Sequence, residues 1–184
     1  MRTSINVAIV ATFSAMIIGS DYALAGVYNV KLLDTLVFVS SYLFGFRVGA
    51  SVGIVSEGAW SFLSPIGSAG AITPFLVAGE FIFALAGWTA SRVWGSKFSP
   101  TSPYPVFMGS LLAVCAFLWD LETNAATALL SYWPTISTGQ VLYTMFNPFT
   151  LAFAVAHEAS DFALGASLAP AFILLIPRVL RRRW

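Results

Sequence analysis

The chain has 184 residues, of which 58% are hydrophobic and only 9% are charged, and its formal net charge is +1. A soluble domain carries about 25% charged residues, so this composition excludes a free-standing soluble protein. It also excludes a disordered chain, which needs low hydrophobicity and high charge, and a basic surface for nucleic acid. The composition therefore predicts an integral membrane protein.

The chain contains six apolar segments that are candidates for membrane-spanning helices, since a helix needs about 20 residues to cross the hydrocarbon. In chain order they are residues 5–25, 31–44, 48–63, 74–91, 106–130 and 146–176. The second segment is short for a full crossing, and the sixth is interrupted by Pro170. The sequence therefore predicts an all-α fold, in which residues 1–184 form a single domain built as a bundle of six transmembrane helices.

The basic residues predict the orientation of this bundle. If the N-terminus is cytoplasmic, eight of the nine Lys and Arg residues occupy cytoplasmic segments, and only Lys31 lies outside. The eight are Arg2, Arg47, Arg92, Lys97, Arg178, Arg181, Arg182 and Arg183. An excess of basic residues in cytoplasmic segments is the positive-inside pattern. We therefore expect a multi-pass protein of the cell membrane, with both the N-terminus and the C-terminus cytoplasmic.

The first segment also has a second interpretation. Arg2, the apolar stretch and Ala23-Leu24-Ala25 before Gly26 fit a secretory signal peptide with a small-residue cleavage site. A single arginine is a weak basic region, and cleavage would leave five crossings. We therefore favour a retained first helix.

Small residues at a spacing of four form two ridges along predicted helix faces. The alanine ridge consists of Ala11, Ala15, Gly19 and Ala23, and the glycine ridge consists of Gly45, Gly49 and Gly53. Such ridges allow close helix packing in lipid, where no hydrophobic effect drives helices together. We predict that the glycine ridge packs inside the bundle. The alanine ridge suits internal packing and a partner protein's helix about equally.

Six carboxylates fall inside the predicted spans, with no Lys or Arg at comparable depth. They are Glu57, Glu80, Asp120, Glu122, Glu158 and Asp161. A carboxylate at mid-bilayer costs a few kcal/mol even on the lenient insertion scale, so each should face a cavity or a partner group. A hydrogen bond between helices explains the presence of Glu122 and Glu158 in the spans as well as a functional role does.

Helical spacing arranges polar residues into two stripes that run towards the outside. The first stripe is Asp120, Thr123, Asn124 and Thr127, and the second is Glu57, Trp60, Ser61 and Ser64. His157 and Asp161 lie one turn apart on the sixth segment, beside Glu158. We predict an outward-facing ligand pocket formed by Asp120, Asn124, Glu80, His157, Asp161, Glu57, Trp60 and Trp133, with Tyr28 and Tyr143 in the loops above it.

Acidic and aromatic side chains around one pocket favour a small ligand that is cationic or rich in hydrogen-bond donors. The loop aromatics also suit the interfacial belt of a membrane protein. One histidine and the isolated Cys115 argue against a dedicated metal site, and His157 near Ser160 shows no nucleophile–base–orienter pattern. We therefore expect no catalytic activity, no metal, no cofactor and no nucleic-acid partner.

Several local patterns resemble the substrate-binding S components of energy-coupling factor (ECF) vitamin transporters. Ala11-Thr12-Phe13-Ser14-Ala15 is similar to the small-xxx-small motif in the first helix of that family. Asn29-Val30-Lys31-Leu32 and the segment 43–50 resemble its first loop and second turn, although Gly45-Phe46 stands where many members have Gly-Pro. Ser64-Pro65-Ile66-Gly67 is similar to its third loop. Together with size and topology, the resemblance covers nearly the whole chain.

The resemblance implies a binding and translocation subunit with no catalysis of its own. Such a subunit captures a vitamin or related micronutrient from outside and docks on a transmembrane coupling protein through Ala11, Ala15 and Gly19. Two ABC-type ATPases then drive reorientation and inward release. The chain has no Gly-x-x-x-x-Gly-Lys phosphate loop, so ATP hydrolysis must come from these partners.

Two other classes of function stay open. Intramembrane acids also suit a self-sufficient ion- or proton-coupled secondary carrier for a small cationic solute, although no inverted repeat is evident in the sequence. The small-residue ridges also suit a structural protein that recruits partners. An S component binds ligand alone but transports only with its partners, whereas a carrier transports alone and a scaffold does neither.

Overall fold

The computed structural model describes residues 2–95, 99 and 103–181, and within these ranges the chain is helical with no β-strand. The helices are α1 (Arg2–Leu24), α2 (Leu33–Phe44), α3 (Phe46–Leu63), α4 (Thr73–Val93), α5 (Tyr104–Tyr132), α6 (Thr138–Phe146) and α7 (Pro148–Arg181), with a 3-10 turn at Gly70–Ile72. The prediction of an all-α protein is confirmed. Of the basic residues used to predict orientation, Lys97, Arg182 and Arg183 lie outside the described residues.

Four helices in the described ranges are long and apolar enough to cross a membrane. They cover Thr3–Leu24, Gly70–Val93, Tyr104–Tyr132 and Pro148–Pro177. The apolar helix α2 has only 12 residues, which span about 18 Å at a rise of 1.5 Å per residue, against a hydrocarbon core of about 30 Å. These lengths support a membrane protein with four candidate spans.

Helix α2 lies in the centre of the bundle, because α1, α3, α4 and α7 all pack against it. Nine consecutive residues, 33–41, are buried, so this helix has no exposed face along most of its length. It ends at Gly45, whose φ of +94° lies in the region that favours glycine, and α3 begins at the next residue. This one-residue turn folds α3 back against α2.

Two of the three residues of the glycine ridge, Gly49 and Gly53, pack inside the bundle, as predicted, whereas Gly45 forms the turn and a Cβ there would meet no atom within 4 Å. A Cβ at Gly49 would lie 2.3 Å from the Cβ of Ser41, and a Cβ at Gly53 would lie 2.7 Å from the Cβ of Glu80. Neither position can hold a side chain unless the neighbouring helix moves. Gly53 therefore makes room for the stem of Glu80 between α3 and α4.

The alanine ridge lies on the opposite side of α1 from the core. Phe13, Ser14, Ile17 and Asp21 form the buried face of this helix, whereas the ridge residues Ala11, Ala15, Gly19 and Ala23 are exposed. A Cβ added to Gly19 would meet no atom within 4 Å. The ridge was predicted to suit either packing inside the bundle or a partner protein's helix. Packing inside the bundle is therefore wrong for the single chain.

Two features of the second half differ from the sequence prediction. The segment between the fifth and sixth spans contains α6, whose start is stabilised by a capping box between Ser137 and Gln140. Helix α7 is not interrupted at Pro170, because both Pro170 and Pro177 lie inside one continuous helix. Helices in lipid tolerate an interior proline, since neighbouring groups can satisfy the freed backbone carbonyl.

Candidate functional site

A cavity of about 340 Å³ opens where the ends of several helices meet. Its walls come from the C-terminal half of α5, the end of α3, the following loop and the starts of α4 and α7. Lys31 reaches it from the loop between α1 and α2, which is tied to α7 by a hydrogen bond of 3.0 Å from the Asn29 side-chain amide to the Phe153 carbonyl oxygen. The cavity therefore gathers parts of the chain that are far apart in sequence.

Both polar stripes line this cavity. One wall carries Asp120, Thr123, Asn124 and Thr127, and another carries Glu57, Trp60, Ser61 and Ser64. Most of these groups already have protein partners: the Ser61 hydroxyl donates to Glu57 at 3.0 Å, and the threonine hydroxyls donate to carbonyl oxygens of α5. The Asn124 side-chain amide makes no hydrogen bond within the described part of the chain, so it can bind a ligand.

The aromatic walls differ from those expected. Trp60, Trp119 and Phe153 line the cavity, and the Lys31 ammonium lies 5.7 Å from the centre of the Trp60 ring. The expected loop aromatic Trp133 is 72% exposed and does not line it. Tyr28 and Tyr143 are also exposed and do not line it, although Tyr28 packs edge-on against Phe153 at 5.5 Å. Helix residues rather than loop residues therefore supply the aromatic surface of the cavity.

Asp120 connects the cavity to a buried cluster that we define as Asp34, Glu80, Asp120, His157 and Asp161. His157 lies at its centre: Nδ1 is 3.1 Å from Oδ2 of Asp120, and Nε2 is 3.1 Å from Oδ2 of Asp34. Oδ2 of Asp161 lies 4.0 Å from the same Nε2. The edge of Trp119 packs against the imidazole, with ring centres 5.3 Å apart. All five members are at least 95% buried.

Several carboxylate oxygens of this region lack hydrogen-bond partners among the described residues. Both oxygens of Asp161, one of Glu80 and one of Asp21 are buried without a partner. Three carboxyl groups lie within 4.0 Å of one imidazole, and Glu80 is a fourth acid in the cluster, so the cluster holds more acid than the histidine can balance. Because an unpaired buried charge costs several kcal/mol, the cluster needs further positive charge from protons, a metal ion or a cationic ligand.

The structure brings most of the expected site residues together and adds Asp34. Glu57, Trp60, Asp120 and Asn124 line the cavity, and Glu80, His157 and Asp161 belong to the adjoining cluster. Asp34, which is buried at the start of α2, was not among the predicted site residues. A carboxylate inside an apolar segment is the signal by which Asp34 could have been found, and each of the six predicted segments contains at least one. Glu122 and Glu158 are partly buried and do not line the cavity.

Comparison of the chain with protein-family models, curated proteins and solved structures finds no match. Function is therefore inferred from the residues and their geometry. The site combines a polar, partly aromatic cavity with an acidic cluster in the interior of a helical bundle. Such an arrangement can bind a small molecule, a cation or both.

Proposed function

We propose that this chain is the substrate-binding membrane subunit of an ECF-type importer, with six crossings and cytoplasmic termini. It captures a small micronutrient, cationic or rich in hydrogen-bond donors, from outside the cell. It delivers this ligand inward together with a transmembrane coupling protein and two ABC-type ATPases. The observation that carries the proposal is the cavity of about 340 Å³, lined by both polar stripes.

The cavity has the chemistry of a small-molecule site. Its volume lies within the roughly 300–1,000 Å³ range of ligand pockets. Trp60, Trp119 and Phe153 offer flat apolar surfaces, while Asn124 and Asp120 offer polar groups that can orient a ligand. A cation between these rings and Asp120 gains attraction from both the ring faces and the carboxylate. The site therefore suits a compact organic cation better than an anion.

The charge distribution supports an outward-facing cavity. Lys31 is at the cavity, whereas Arg47 lies at the start of α3 and Arg92 in the last turn of α4, away from the cavity end of each helix. Basic residues concentrate on the cytoplasmic side of membrane proteins. The positive-inside pattern therefore supports an orientation in which ligand reaches the cavity from outside.

The exposed alanine ridge of α1 supports docking on a coupling protein. A flat row of Ala11, Ala15 and Gly19 allows another helix to approach closely, and no helix in the described part of the chain covers it. The resemblance of residues 11–15 to the docking motif of S components agrees with this exposure. The ridge is therefore the surface on which we place the coupling protein.

The proposal is tested by ligand retention. The protein is purified alone in detergent, small molecules that co-purify are identified by mass spectrometry, and a panel of vitamins is screened by thermal shift. We expect one micronutrient to be retained or to stabilise the fold. Asn124→Ala should retain less of it, whereas Glu122→Gln, on the same helix outside the cavity, should retain as much as the wild type. A wild-type protein that retains and responds to none contradicts the proposal.

The buried cluster favours a second candidate, a self-sufficient secondary carrier for a small cationic solute. Acidic residues and a histidine in the membrane interior are typical of proton and cation relays. The two candidates differ in liposomes that contain only this chain. Solute uptake driven by a pH or ion gradient supports the carrier, whereas binding without uptake, and uptake after addition of the ATPase module, supports the importer subunit.

A further inference from the structure

We propose that the buried cluster binds one divalent transition-metal ion, with Asp34, His157 and Asp161 as ligands. The sequence predicted no metal site, because it offers a single histidine and one isolated cysteine. The proposal goes beyond the importer function and does not depend on it, because the three ligands lie apart from the cavity wall. It rests on ligand geometry, on the support given to the imidazole and on unpartnered oxygens.

The three side chains are already close to a coordinating arrangement. One potential ligand atom from each lies within 4.8 Å of the others, and all three residues are buried. Nε2 of His157 is 3.1 Å from Oδ2 of Asp34 and 4.0 Å from Oδ2 of Asp161. Two atoms that bind one ion at about 2.1 Å lie roughly 3–4 Å apart. Both separations from Nε2 of His157 fall in that range.

Asp120 contacts the His157 imidazole in the way that a carboxylate commonly contacts a metal-binding histidine. Its Oδ2 lies 3.1 Å from Nδ1 of His157 and can accept a hydrogen bond from the N–H at that nitrogen. The lone pair of Nε2 then points towards Asp34 and Asp161. Metal-bound histidines commonly have such a carboxylate on the other nitrogen, because it fixes the tautomer and increases ligand basicity. A cation also relieves the repulsion between the lone pairs of Nε2 and Oδ2 of Asp34.

Asp161 gives an independent reason to place a ligand here. It is fully buried, and neither of its carboxylate oxygens has a hydrogen-bond partner among the described residues. Buried polar atoms in folded proteins almost always have a partner, so these two oxygens indicate a group that the described part of the chain does not supply. An ion next to Nε2 of His157 gives Oδ2 of Asp161 a partner, because that oxygen lies 4.0 Å from Nε2.

The donor set indicates the class of metal. One imidazole nitrogen and two carboxylates suit Zn²⁺, Co²⁺ or Ni²⁺, whereas Mg²⁺ and Ca²⁺ prefer ligand sets made of oxygen. The carboxylates of Asp34 and Asp161 balance the two positive charges of such an ion, which matters in a membrane interior, where net charge is costly.

The test measures metal in the full-length protein purified in detergent without chelator. We expect about one transition-metal ion per chain by elemental mass spectrometry. After chelation and dialysis, added Co²⁺ should produce visible d–d absorption bands that saturate at one equivalent. Asp161→Asn and His157→Gln should weaken Co²⁺ binding at least tenfold. The matched control is Glu158→Gln, which removes a carboxylate next to His157 outside the ligand set and should leave the titration unchanged.

Two results would overturn the proposal. One is a wild-type protein that contains no stoichiometric metal and shows neither saturable Co²⁺ bands nor thermal stabilisation by Co²⁺. The other is equal Co²⁺ binding by wild type and Asp161→Asn, which would place the ion elsewhere. Vitamin retention measured on the same samples separates this test from the importer proposal, since metal without any organic ligand contradicts only the latter.

Discussion

Replacing His157 with leucine should destabilise the protein strongly. The imidazole nitrogens lie 3.1 Å from both Asp34 and Asp120, and all three side chains are about 95% buried. Leucine fills most of the space but leaves two carboxylates facing each other across an apolar side chain. Removing the central partner of a buried charged cluster in this way costs about 3–5 kcal/mol, because the two carboxylates lose their compensating group. At roughly 2–4 °C per kcal/mol for a chain of this size, the melting temperature should fall by about 6–20 °C.

The assay is thermal unfolding in detergent, followed by intrinsic fluorescence, for the wild type and three variants. Asp34→Asn/Asp120→Asn/His157→Leu should regain part of the lost stability, because it leaves neither of those two carboxylates unpaired. Glu158→Leu, one residue away on α7 and only partly buried, should shift the melting temperature by far less. If the triple variant is as unstable as His157→Leu alone, the loss is one of packing, and the electrostatic explanation is refuted.

Three further predictions concern packing, binding and docking. Gly87→Ala should destabilise the fold by about 1–3 kcal/mol, because its Cβ would lie 2.2 Å from a carbonyl oxygen of α2. Gly19→Ala, whose Cβ meets nothing within 4 Å, should be neutral or slightly stabilising in the same thermal assay. Asn124→Ala should weaken binding of the retained ligand about 2–10-fold by calorimetry, which is the value of one hydrogen bond, and Glu122→Gln should leave the affinity unchanged. Equal affinities for both variants would move the binding site elsewhere. Ala15→Leu should abolish ATP-dependent uptake by the assembled transporter while leaving ligand affinity intact, and persistent uptake would exclude the alanine ridge as the docking surface.

Composition and periodicity were sufficient to predict the class of protein and much of the helical framework. Long apolar segments predict helices because lipid cannot satisfy backbone polar groups. Five of the predicted spans correspond to helices in the structure with shifts of a few residues at their ends, and the sixth corresponds to the longer helix α7. The two polar stripes were also predictable, since residues three and four apart share one face of a helix. Ser137 and Gln140 have the spacing of a capping box, which is a sequence signal for the start of α6, although the prediction of the spans did not use it.

Tertiary structure decided how these faces meet. Periodicity shows that Asp120 and His157 lie on polar faces, but only the packing of α2, α5 and α7 places His157 between Asp120 and Asp34. The sequence could not show that Asp34 belongs to the site, because the burial of this residue depends on four helices that surround the short α2. The same holds for Trp133, whose exposure depends on where the α5–α6 loop lies. Local sequence specifies which face of each helix is polar, whereas contacts between distant segments decide which polar faces share a cavity.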